Sequence, residues 1–547
     1  MMPLFSILFA ILSASSLHSP AREVITVSSQ EELEQLDLPV VLSGASEVTL
    51  SFTPGIYTYR DGMLSLKGLS RPDLTLSIEG NGACFVADGP VYRVEQDGAS
   101  FSAPCDAPFD IRDGFLVGDQ MKNMDLRTPV KTCRFFPIPI SPRKGIFCIP
   151  TGEPDLSESD AEDVYVLITQ WYIGAVFKVK KIKNGWIHYY NDPEVETPFY
   201  SELRFGRCLP RYALYNHPRC GLTNIHGGKI RSGEGEPVRR CLASAFMQVD
   251  SCRLKTVSIT GCHFLGNREG APLISFSKTE ADSVCVSHCR FEAIRGDILS
   301  IRDTDHVRFC RNEVNQAYLR AVYADWNSQD TRIEDNRFTG QGRRISNTPC
   351  VHCKGPCFSI QRNVFEDCAY ISVGIGTHFV ETDGAFASGV VLWNEIYQTD
   401  RFLRDDRFYL TDSGAIYVWT QIRSVEIAHN CIYHIGGSHG NRGILPDDGP
   451  SHLWIHDNLV FDILNHRCVD LRKDNTPLRH KASRAREVNM DNRLTDNVFG
   501  GKIMFYIKKD DPSSSVEGNV FLTDPVQLQE AYRDWCYRRD AIVLAER

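Results

Sequence analysis

The stretch Val425-Glu426-Ile427-Ala428-His429-Asn430-Cys431-Ile432 contains the pattern that decides the fold. Alternating apolar residues come first, followed by a polar residue, an asparagine, any residue and another apolar one. The pattern recurs from Cys241 to Pro525, and its anchor residues stand 22 to 39 positions apart. The anchors are Cys262, Cys289, Asn312, Asn336, Asn363, Asn394, Asn430, Asn458, Asn497 and Asn519. Such a repeat, built from strands and turns, is typical of a solenoid.

Each repeat predicts one coil of stacked strands. Runs such as Val257-Ser258-Ile259 and Leu453-Trp454-Ile455 alternate with a period of two, which indicates a strand with one buried face. The asparagine is expected at the turn itself, because Asn tolerates the left-handed conformation and bonds nearby backbone. Cys262 and Cys289 replace it in the first two anchors, so these thiols are expected inside the stack. The sequence therefore predicts an all-β, right-handed parallel β-helix. Ten anchors in register disfavour the alternative, an up-and-down β-sandwich.

Size and charge narrow the function classes. A chain of 547 residues is long for one domain, but a solenoid grows by repetition. The net charge of −9 and the lack of a basic stripe argue against a nucleic-acid partner. Aromatic residues make up 10% of the chain, which fits planar ligands such as sugar rings.

The N-terminus resembles a secretory signal peptide. Residues 3–17 form an apolar core followed by small residues, although the usual basic n-region is missing. We therefore expect residues 1–21 to be a signal peptide and the protein to be secreted, periplasmic or on the cell surface. The alternative is a hydrophobic first strand. No later segment reads as a transmembrane span.

The rest of the chain divides by its patterning. Residues 22–100 are expected to form the N-terminal cap and first coils, and residues 241–525 the main β-helix. Between them the repeat is lost, and aromatic strands near residues 163–190 predict an inserted β-rich domain over 101–240, in the form of a small β-sandwich. Residues 526–547 predict a helix that caps the last coil.

The cysteines leave two alternatives open. The chain has 19, and in an exported protein some of them could form disulfides. Those at inward or turn positions are instead expected to pack as small apolar residues. Cys350, His352, Cys353 and Cys357 look like half a zinc site, but no second Cys/His pair stands at a matching spacing. We predict no metal and no cofactor.

Aligning the coils on their anchors predicts a functional rim. Trp326, Thr420 and Asp448 each stand ten positions before an anchor, so Asp325-Trp326, Trp419-Thr420 and Asp447-Asp448 should share one end of a strand ladder. By the same reasoning Arg302, Asp303, His378 and Arg472 fall on this rim. A solvated edge is the plain alternative, but an exposed Trp there favours a binding groove.

Three motifs carry a family resemblance. Thr53-Pro54-Gly55-Ile56-Tyr57, Asp412-Ser413-Gly414-Ala415-Ile416-Tyr417 and Arg442-Gly443-Ile444-Leu445-Pro446-Asp447-Asp448-Gly449 are similar to motifs of right-handed β-helix glycoside hydrolases, notably family 141. The resemblance implies that Asp412 and Asp448 form the acid/base pair, with Asp447 as the alternate to Asp448. Leu445 and Pro446 depart from the motif where the family often has Tyr and Leu, so a sugar contact differs here.

The function predicted from this resemblance is hydrolysis of a complex polysaccharide by two carboxyl groups. Sugar subsites would be lined by Trp419, Tyr417, Trp326, Asp325, His378, His439, Arg442 and Arg472. One difficulty is that Asp412 precedes its strand whereas Asp448 follows the next one. Either a loop folds Asp412 over, or the partner is another rim residue such as Asp325 or Glu381. A polysaccharide lyase that uses Arg472-Lys473 and a non-catalytic glycan-binding protein are the other candidate functions.

Overall fold

A computed structural model describes most of the chain outside the N-terminus and the middle of the predicted insertion. The described residues are 22–93, 95–97, 100–102, 114–117, 122–123, 136–137, 146–148, 165–170, 173–183, 186–189, 211–215, 237–342, 348–377, 386–399, 413–419, 422–436, 441–447, 449–464, 467–471, 490–505 and 511–545. The predicted signal peptide, residues 1–21, lies outside them. No helix among these residues is long and apolar enough to span a membrane.

The described residues form a right-handed parallel β-helix with three long sheets, named here sheets 1, 2 and 3. The thirteen strands of sheet 1 are Arg22–Val27, Glu47–Phe52, Ser70–Glu79, Arg253–Thr260, Ser283–Ser287, Val307–Cys310, Arg332–Glu334, Phe358–Gln361, Ala387–Leu392, Ile422–Ala428, Leu453–His456, Arg493–Thr495 and Ser515–Glu517. The eleven strands of sheet 2 are Leu64–Lys67, Met247–Asp250, Ile274–Ser277, Leu299–Arg302, Val322–Ala324, Pro349–Cys353, Ile371–Ile375, Gly414–Val418, Arg442–Pro446, Arg467–Leu471 and Lys502–Phe505. The twelve strands of sheet 3 are Ile56–Tyr59, Cys84–Ala87, His263–Leu265, Arg290–Glu292, Glu313–Asn315, Arg337–Thr339, Val364–Glu366, Glu395–Tyr397, Cys431–Tyr433, Leu459–Val460, Val498–Phe499 and Val520–Phe521.

One coil runs from sheet 1 to sheet 3, then to sheet 2 and on to the next strand of sheet 1. Inward residues of all three sheets meet in a single core, to which each coil adds a layer. Aromatic rings stack along the axis: the ring centroids of Phe264 and Phe291 are 5.2 Å apart, and those of Phe338 and Phe365 are 4.8 Å apart. These separations match the spacing of neighbouring strands, about 4.8 Å, so identical positions on successive coils touch directly. The predicted fold class is confirmed.

The anchor asparagines form a buried ladder between sheets 1 and 3. The Oδ1 atom of Asn363 accepts hydrogen bonds from the backbone amide of Asn336 at 3.0 Å and from its Nδ2 at 2.9 Å. The Nδ2 atom of Asn363 in turn donates to Asn394 Oδ1 at 3.0 Å and to the carbonyl of Ile333 at 2.8 Å. The same arrangement continues through Asn430, Asn458 and Asn497 to Asn519. Polar groups inside the turn are thereby satisfied coil after coil.

The left-handed residue of this turn is not the asparagine, so that detail of the prediction is wrong. It is the residue before it: φ is 58° at Asp335, 54° at Arg362 and 56° at His429. The two residues have different roles. The asparagine side chain points inward and bonds the asparagines of the adjacent coils, while the preceding residue adopts the left-handed conformation that turns the chain. Cys262 and Cys289 are buried in the first two anchor positions, as expected.

An insertion interrupts one coil of the solenoid, after its sheet 3 strand and before its sheet 2 strand. Strands Leu64–Lys67 and Met247–Asp250 pair in register although more than 170 residues lie between them, and Cys84–Ala87 pairs with His263–Leu265. The solenoid is thus interrupted between residues 88 and 246, a wider span than the predicted 101–240. The described strands of the insertion are antiparallel.

Two antiparallel sheets and one hairpin make up the described part of this insertion. The four-stranded sheet has the order Lys122–Asn123, Gly114–Val117, Pro237–Cys241 and Val91–Arg93. The six-stranded sheet has the order Phe136–Pro137, Arg211–Tyr215, Tyr165–Gln170, Ile173–Lys183, Trp186–Tyr189 and Ile146–Cys148. The hairpin joins Glu95–Asp97 to Ser100–Ser102.

Three described helices accompany the solenoid: α1 at Gln30–Glu34, α2 at Leu38–Gly44 and α3 at Pro525–Ala545. Helices α1 and α2 cover the first coil, since Leu33 and Leu42 are buried in the core cluster.

Helix α3 contacts the side of the solenoid. The indole of Trp535 donates to the carbonyl of His429 at 2.7 Å, and Arg539 forms an ion pair with Glu395 at 3.0 Å. Phe521 in the last strand of sheet 3 is 52% exposed. Helix α3 therefore packs along the flank of the solenoid, against aromatic residues of several coils, rather than over the final coil.

Candidate functional site

The outer face of sheet 2 changes character along the axis. One row of outward residues, related by strand register, is Gln248, Ser275, Ser300, Tyr323, His352, Gly374, Tyr417 and Leu445. The early members are small and polar, and the later ones are mostly aromatic or apolar. Strands Ile371–Ile375, Gly414–Val418 and Arg442–Pro446 are buried on both faces, whereas Ile274–Ser277 alternates between buried and half-buried residues.

A second row lies two residues further on, where the strands of sheet 2 end. It consists of Arg302, Asp325, Lys354, Gly376, Trp419 and Asp447. The amides of the last five continue the inter-strand hydrogen bonding, at 2.8 to 3.1 Å. We call this row the C-terminal edge. Aligning the sequence on its anchors had put Asp325, Trp419 and Asp447 at one end of a ladder, and the register agrees.

Four rings form a continuous aromatic surface across both rows. The ring centroids of Tyr323 and His352 are 5.9 Å apart, those of His352 and Trp419 are 4.9 Å apart, and those of Tyr417 and Trp419 are 4.5 Å apart. Gly374 makes room for this packing, because a Cβ atom there would lie 2.8 Å from the Trp419 ring. The imidazole of His352 is fixed by a hydrogen bond of 3.0 Å from Nε2 to the carbonyl of Gly376.

Trp419 was expected to be exposed, and it is not. Its exposed fraction is 8% and that of Tyr417 is 4%, since both pack with Tyr370, Ile371 and Leu445 in an apolar cluster outside the sheet. The expectation failed because the glycine that lets the indole lie flat belongs to the preceding coil, 45 residues earlier. Half-buried Trp326 is the more accessible of the two predicted tryptophans.

Asp447 is the described carboxylate at the C-terminal edge that belongs to the predicted catalytic set. The Tyr417 hydroxyl donates a hydrogen bond to its Oδ2 atom. Because Tyr417 is itself held in the apolar cluster, this contact orients the carboxylate. Asp447 is only half-buried, so the group is both positioned and accessible.

Basic groups surround Tyr323. The guanidinium carbon atoms of Arg320 and Arg302 lie 4.2 and 5.8 Å from its ring centroid, and Lys354 Nζ lies 5.3 Å from it. Burial raises the pKa of Tyr323, although Arg320 and Arg302 oppose that shift, so the phenol stays neutral at ordinary pH. Lys354 Nζ also lies 5.2 Å from the ring centroid of Trp326. Cations over aromatic faces hold these side chains in place.

Asp325 serves the turn that follows its strand. Its Oδ1 atom accepts hydrogen bonds from the Ser328 hydroxyl at 2.8 Å and from the amides of Asn327 and Asp303 at 3.2 Å. Asp325 is four coils away from Asp447 along the C-terminal edge, about 19 Å at the usual strand spacing. Such a separation is too large for a pair of catalytic carboxyls, which need about 5 to 9.5 Å.

Arg442 has a buried ion pair rather than an exposed head group. Its Nε atom lies 2.8 Å from Asp470 Oδ2, and the two side chains are 3% and 0% exposed. Arg467 binds the same carboxylate oxygen at 3.0 Å. Asp470 was missed in the sequence because it follows no local pattern. Its partner stands 28 residues earlier, on the neighbouring coil.

Several predicted site residues lie outside the described residues: Asp412, Asp448, His378, His439 and Arg472. Their described neighbours still bear on the pair Asp412 and Asp448. Gly414 pairs with Arg442, and Val418 pairs with Pro446, so Ser413 and Asp447 stand at opposite ends of the two strands.

The site also contains residues that sequence reasoning missed. Tyr323, His352 and Lys354 were not predicted, yet counting back from the anchors would have put all three on sheet 2. The sequence pattern instead groups His352 with the neighbouring cysteines, as half a zinc site. Two of those cysteines, Cys350 and Cys353, are buried in the core, and burial raises the pKa of Cys353 to about 12, whereas Cys357 is exposed. A buried, protonated thiol facing away from His352 does not join it in a zinc site. Fourteen cysteines among the described residues are free thiols.

Comparison with known proteins extends the fold assignment. No protein-family model matches the chain, and no curated protein sequence matches it. Among solved structures, one described as a glycoside hydrolase is 12% identical, with 92% of this chain and 93% of that chain covered and a TM-score of 0.53. XylC in complex with xylose is 9% identical, with coverage of 91% and 86% and a TM-score of 0.38. PfbA, a surface adhesin of Streptococcus pneumoniae, is 9% identical, with coverage of 90% and 85% and a TM-score of 0.41. At these identities the likeness concerns the fold alone.

Proposed function

We propose that the protein is a glycoside hydrolase that cleaves a complex polysaccharide at the C-terminal edge of sheet 2. The observation that supports this most directly is the half-buried Asp447 carboxylate, oriented by the Tyr417 hydroxyl beside the aromatic surface. Glycoside hydrolysis needs a carboxyl group held in a fixed orientation next to a surface that binds sugar rings. The solved glycoside hydrolase of the same fold is consistent with this reading.

The catalytic pair remains the one predicted from the motifs. Asp448 and Asp412 act as the two carboxyls, with Asp447 as the alternate to Asp448. Because Ser413 and Asp447 stand at opposite ends of their strands, six residues or about 20 Å apart along the strand direction, a pair with Asp412 requires the preceding segment to turn back over sheet 2. Asp447 or Asp448 paired with a carboxyl from another coil would avoid this requirement.

The remaining assignments follow from the same proposal. Trp326 and His352 would contact the sugar, while Trp419 and Tyr417 would support the surface from behind. The protein would be exported through the N-terminal segment 1–21 and act on glycans outside the cell.

A polysaccharide lyase is the second candidate, and basic groups favour it. A lyase removes the proton next to a uronate carboxylate and needs cations to neutralise that carboxylate. Arg302 and Lys354 stand on the C-terminal edge close to Tyr323. In addition to Arg472 and Lys473, they offer positive charge for an acidic glycan.

The test is a screen of the purified protein against neutral and acidic polysaccharides, with products identified by mass spectrometry. Saturated products support the hydrolase. Products lighter by one water and absorbing ultraviolet light support the lyase, and retarded migration in a glycan gel without product supports a binding protein.

The first variants would be Asp447→Asn, Asp448→Asn and Asp412→Asn, assayed on the responsive glycan. Removing an acid or base should lower kcat by about 10²- to 10⁴-fold. Asp330→Asn is the matched control, because Asp330 pairs with His306 and Arg332 at the start of strands of sheet 1 and should leave activity unchanged. Full activity in all three test variants would contradict the carboxyl mechanism.

A further inference from the structure

A group of metal-binding side chains lies at the turn between sheets 1 and 3, away from the C-terminal edge. His429 follows strand Ile422–Ala428, and His456 ends the next strand of sheet 1. Asp457 follows His456 directly. His429 and Asp457 are the left-handed residues before two ladder asparagines, with φ of 56° and 51°. Their side chains therefore project from the outside of the turn.

These three residues converge on one point. Among the described residues, His429, His456 and Asp457 form a group whose three ligand atoms lie within 4.8 Å of one another. Two imidazole nitrogens and one carboxylate oxygen make a donor set that suits Zn²⁺ and neighbouring divalent transition ions. Three protein ligands leave one tetrahedral position for water.

The ring of His429 is held by stacking, but one of its nitrogens lacks a hydrogen-bond partner among the described residues. Its ring stacks on Trp393, with centroids 4.5 Å apart and planes at 11°. Within the described part of the chain, its Nδ1 atom is buried and has no hydrogen-bond partner. Buried polar atoms are normally satisfied, so an unpartnered imidazole nitrogen on a member of this group indicates a missing partner.

His456 already has the outer contacts of a metal ligand. Its Nε2 atom lies 3.0 Å from Glu426 Oε1, and its Nδ1 atom lies 2.7 Å from Asp457 Oδ2. Metal-binding histidines usually donate their second ring N–H to a carboxylate, and Glu426 stands where that carboxylate is needed. Trp454 stacks on the ring at 3.9 Å between centroids, and small Ala428 is its neighbour across the ladder.

We propose that His429, His456 and Asp457 bind a divalent transition ion such as Zn²⁺, with His456 coordinating through Nδ1. Glu426 is the positioning residue that accepts the Nε2 proton. The ion replaces the proton between His456 and Asp457 and links two successive coils. It also ties them to helix α3, because Trp535 donates to the carbonyl of His429. This site is independent of the proposed hydrolase function.

The competing arrangement is a doubly protonated His456 between Asp457 and Glu426, with no metal. Binding of Zn²⁺ alone to the full chain separates the two. Accessible thiols such as the exposed Cys357 should first be alkylated, because they also bind Zn²⁺. Isothermal titration should then show one tight site per chain, and wild-type protein without such a site would overturn the proposal.

Variants identify the ligands. His429→Gln and Asp457→Asn should each weaken Zn²⁺ binding by more than the ~10- to 100-fold that loss of an outer-shell partner costs, and Glu426→Gln should fall within that range. His434→Gln is the matched control, since His434 is an exposed histidine that pairs with Asp462 outside the proposed ligand group. An equal loss in His434→Gln and His429→Gln would mean adventitious binding and overturn the proposal.

A spectroscopic readout covers the case in which a variant fails to fold. Cu²⁺ bound to the alkylated wild-type protein should show electron paramagnetic resonance couplings from two imidazole nitrogens. Glu426→Gln should keep these couplings while weakening affinity, as expected for a positioning residue. Couplings from fewer than two nitrogens would contradict the proposed ligand set, whatever the variants do.

Discussion

The turn after sheet 1 and the C-terminal edge of sheet 2 belong to the same coils, but the turn keeps the same residue from coil to coil whereas the edge does not. The turn carries an asparagine in eight successive coils, each bonded to the next. The C-terminal edge carries arginine, aspartate, lysine, glycine, tryptophan and aspartate in successive coils. Identical residues are needed where each coil must satisfy its neighbour in the same way. Varied residues appear where the surface is free to take up chemistry.

The turn after sheet 1 and the C-terminal edge of sheet 2 should therefore respond differently to substitution. A change in the asparagine ladder should alter stability and leave ligand recognition alone. A change of an accessible residue at the C-terminal edge should do the reverse. The following variants test this separation.

Asn363→Ala should have the largest effect, because it breaks the ladder in its buried centre. The backbone amide and Nδ2 of Asn336 both lose their acceptor. Each unsatisfied buried donor costs about 1–3 kcal/mol, so we expect roughly 2–6 kcal/mol of lost stability by urea unfolding. Asn519→Ala, at the partly exposed end of the ladder, is the control and should cost less. Equal losses in both variants would mean that ladder position does not matter.

Trp326→Ala should weaken glycan binding with little change in stability. Trp326 is half-buried and accessible beside Lys354, so its ring is available for stacking on a sugar. We expect a loss of affinity of about 1–2 kcal/mol, or ~5- to 30-fold, measured by titration with the glycan identified in the screen.

The matched variant is Trp419→Ala, which removes a ring that is only 8% exposed. There the unfolding midpoint should fall, as for other buried tryptophans. If Trp326→Ala lowered stability and left affinity intact, the C-terminal edge would be a packing surface rather than a binding one.

Glu292→Gln should have a smaller effect that depends on pH. His263 and Glu292 form an ion pair of 2.8 Å between neighbouring coils of sheet 3. The hydrogen bond with His263, helped by Arg290 and opposed by burial, lowers the pKa of Glu292 to about 2. Burial opposes protonation of His263, but hydrogen bonds with Cys84 and Glu292 outweigh burial and raise the pKa of His263 to about 9.

The sign of the pH effect follows from these shifts. The Glu292 contribution is present above about pH 4.3 and is lost as the pH falls through 2, whereas the His263 contribution is present below about pH 6.5 and is lost as the pH rises through 9. Glu292→Gln should therefore cost about 1 kcal/mol near pH 5.5 and less at either extreme. Asp462→Asn, which breaks the more exposed pair with His434, is the control and should change little. A pH-independent loss would contradict the ion pair.

Cys289→Asn should have the smallest effect and extend the ladder by one coil. Asn312 Oδ1 already accepts from the amide of Cys289 at 2.9 Å, and an asparagine at 289 would offer the same acceptor to Cys262. We expect a gain of up to about 1 kcal/mol in stability by urea unfolding. A clear loss would show that the first turns are shaped for thiols. Cys285→Asn, outside the ladder, is the control and should give no gain.

The sequence predicted the β-helix better than the candidate site, because the contacts of the β-helix repeat and those of the site do not. Every anchor interacts with the same residue one coil away, so the repeat itself reveals the contact, including the buried Cys262 and Cys289. The burial of Trp419 depends on Gly374, and that of Arg442 depends on Asp470. Neither partner shares a pattern with its counterpart.

The position of the left-handed residue was also missed. Asn is compatible with that conformation, but compatibility does not reveal that its side chain is needed inside the turn. The start of the insertion was missed for a similar reason, since strand Val91–Arg93 looks locally like another piece of the solenoid. Only its pairing with Pro237–Cys241 distinguishes it.

The two ends of the insertion leave the solenoid side by side. The amide of Arg240 donates to the carbonyl of Pro90 at 3.0 Å, and that of Leu242 donates to Asp88 at 2.8 Å. The solenoid strands that precede the insertion pair in register with those that follow it. A module attached in this way could be gained, exchanged or deleted during evolution without moving a single strand of the scaffold. Because the entropy cost of closing a loop grows only slowly with its length, the stability of the scaffold would change little.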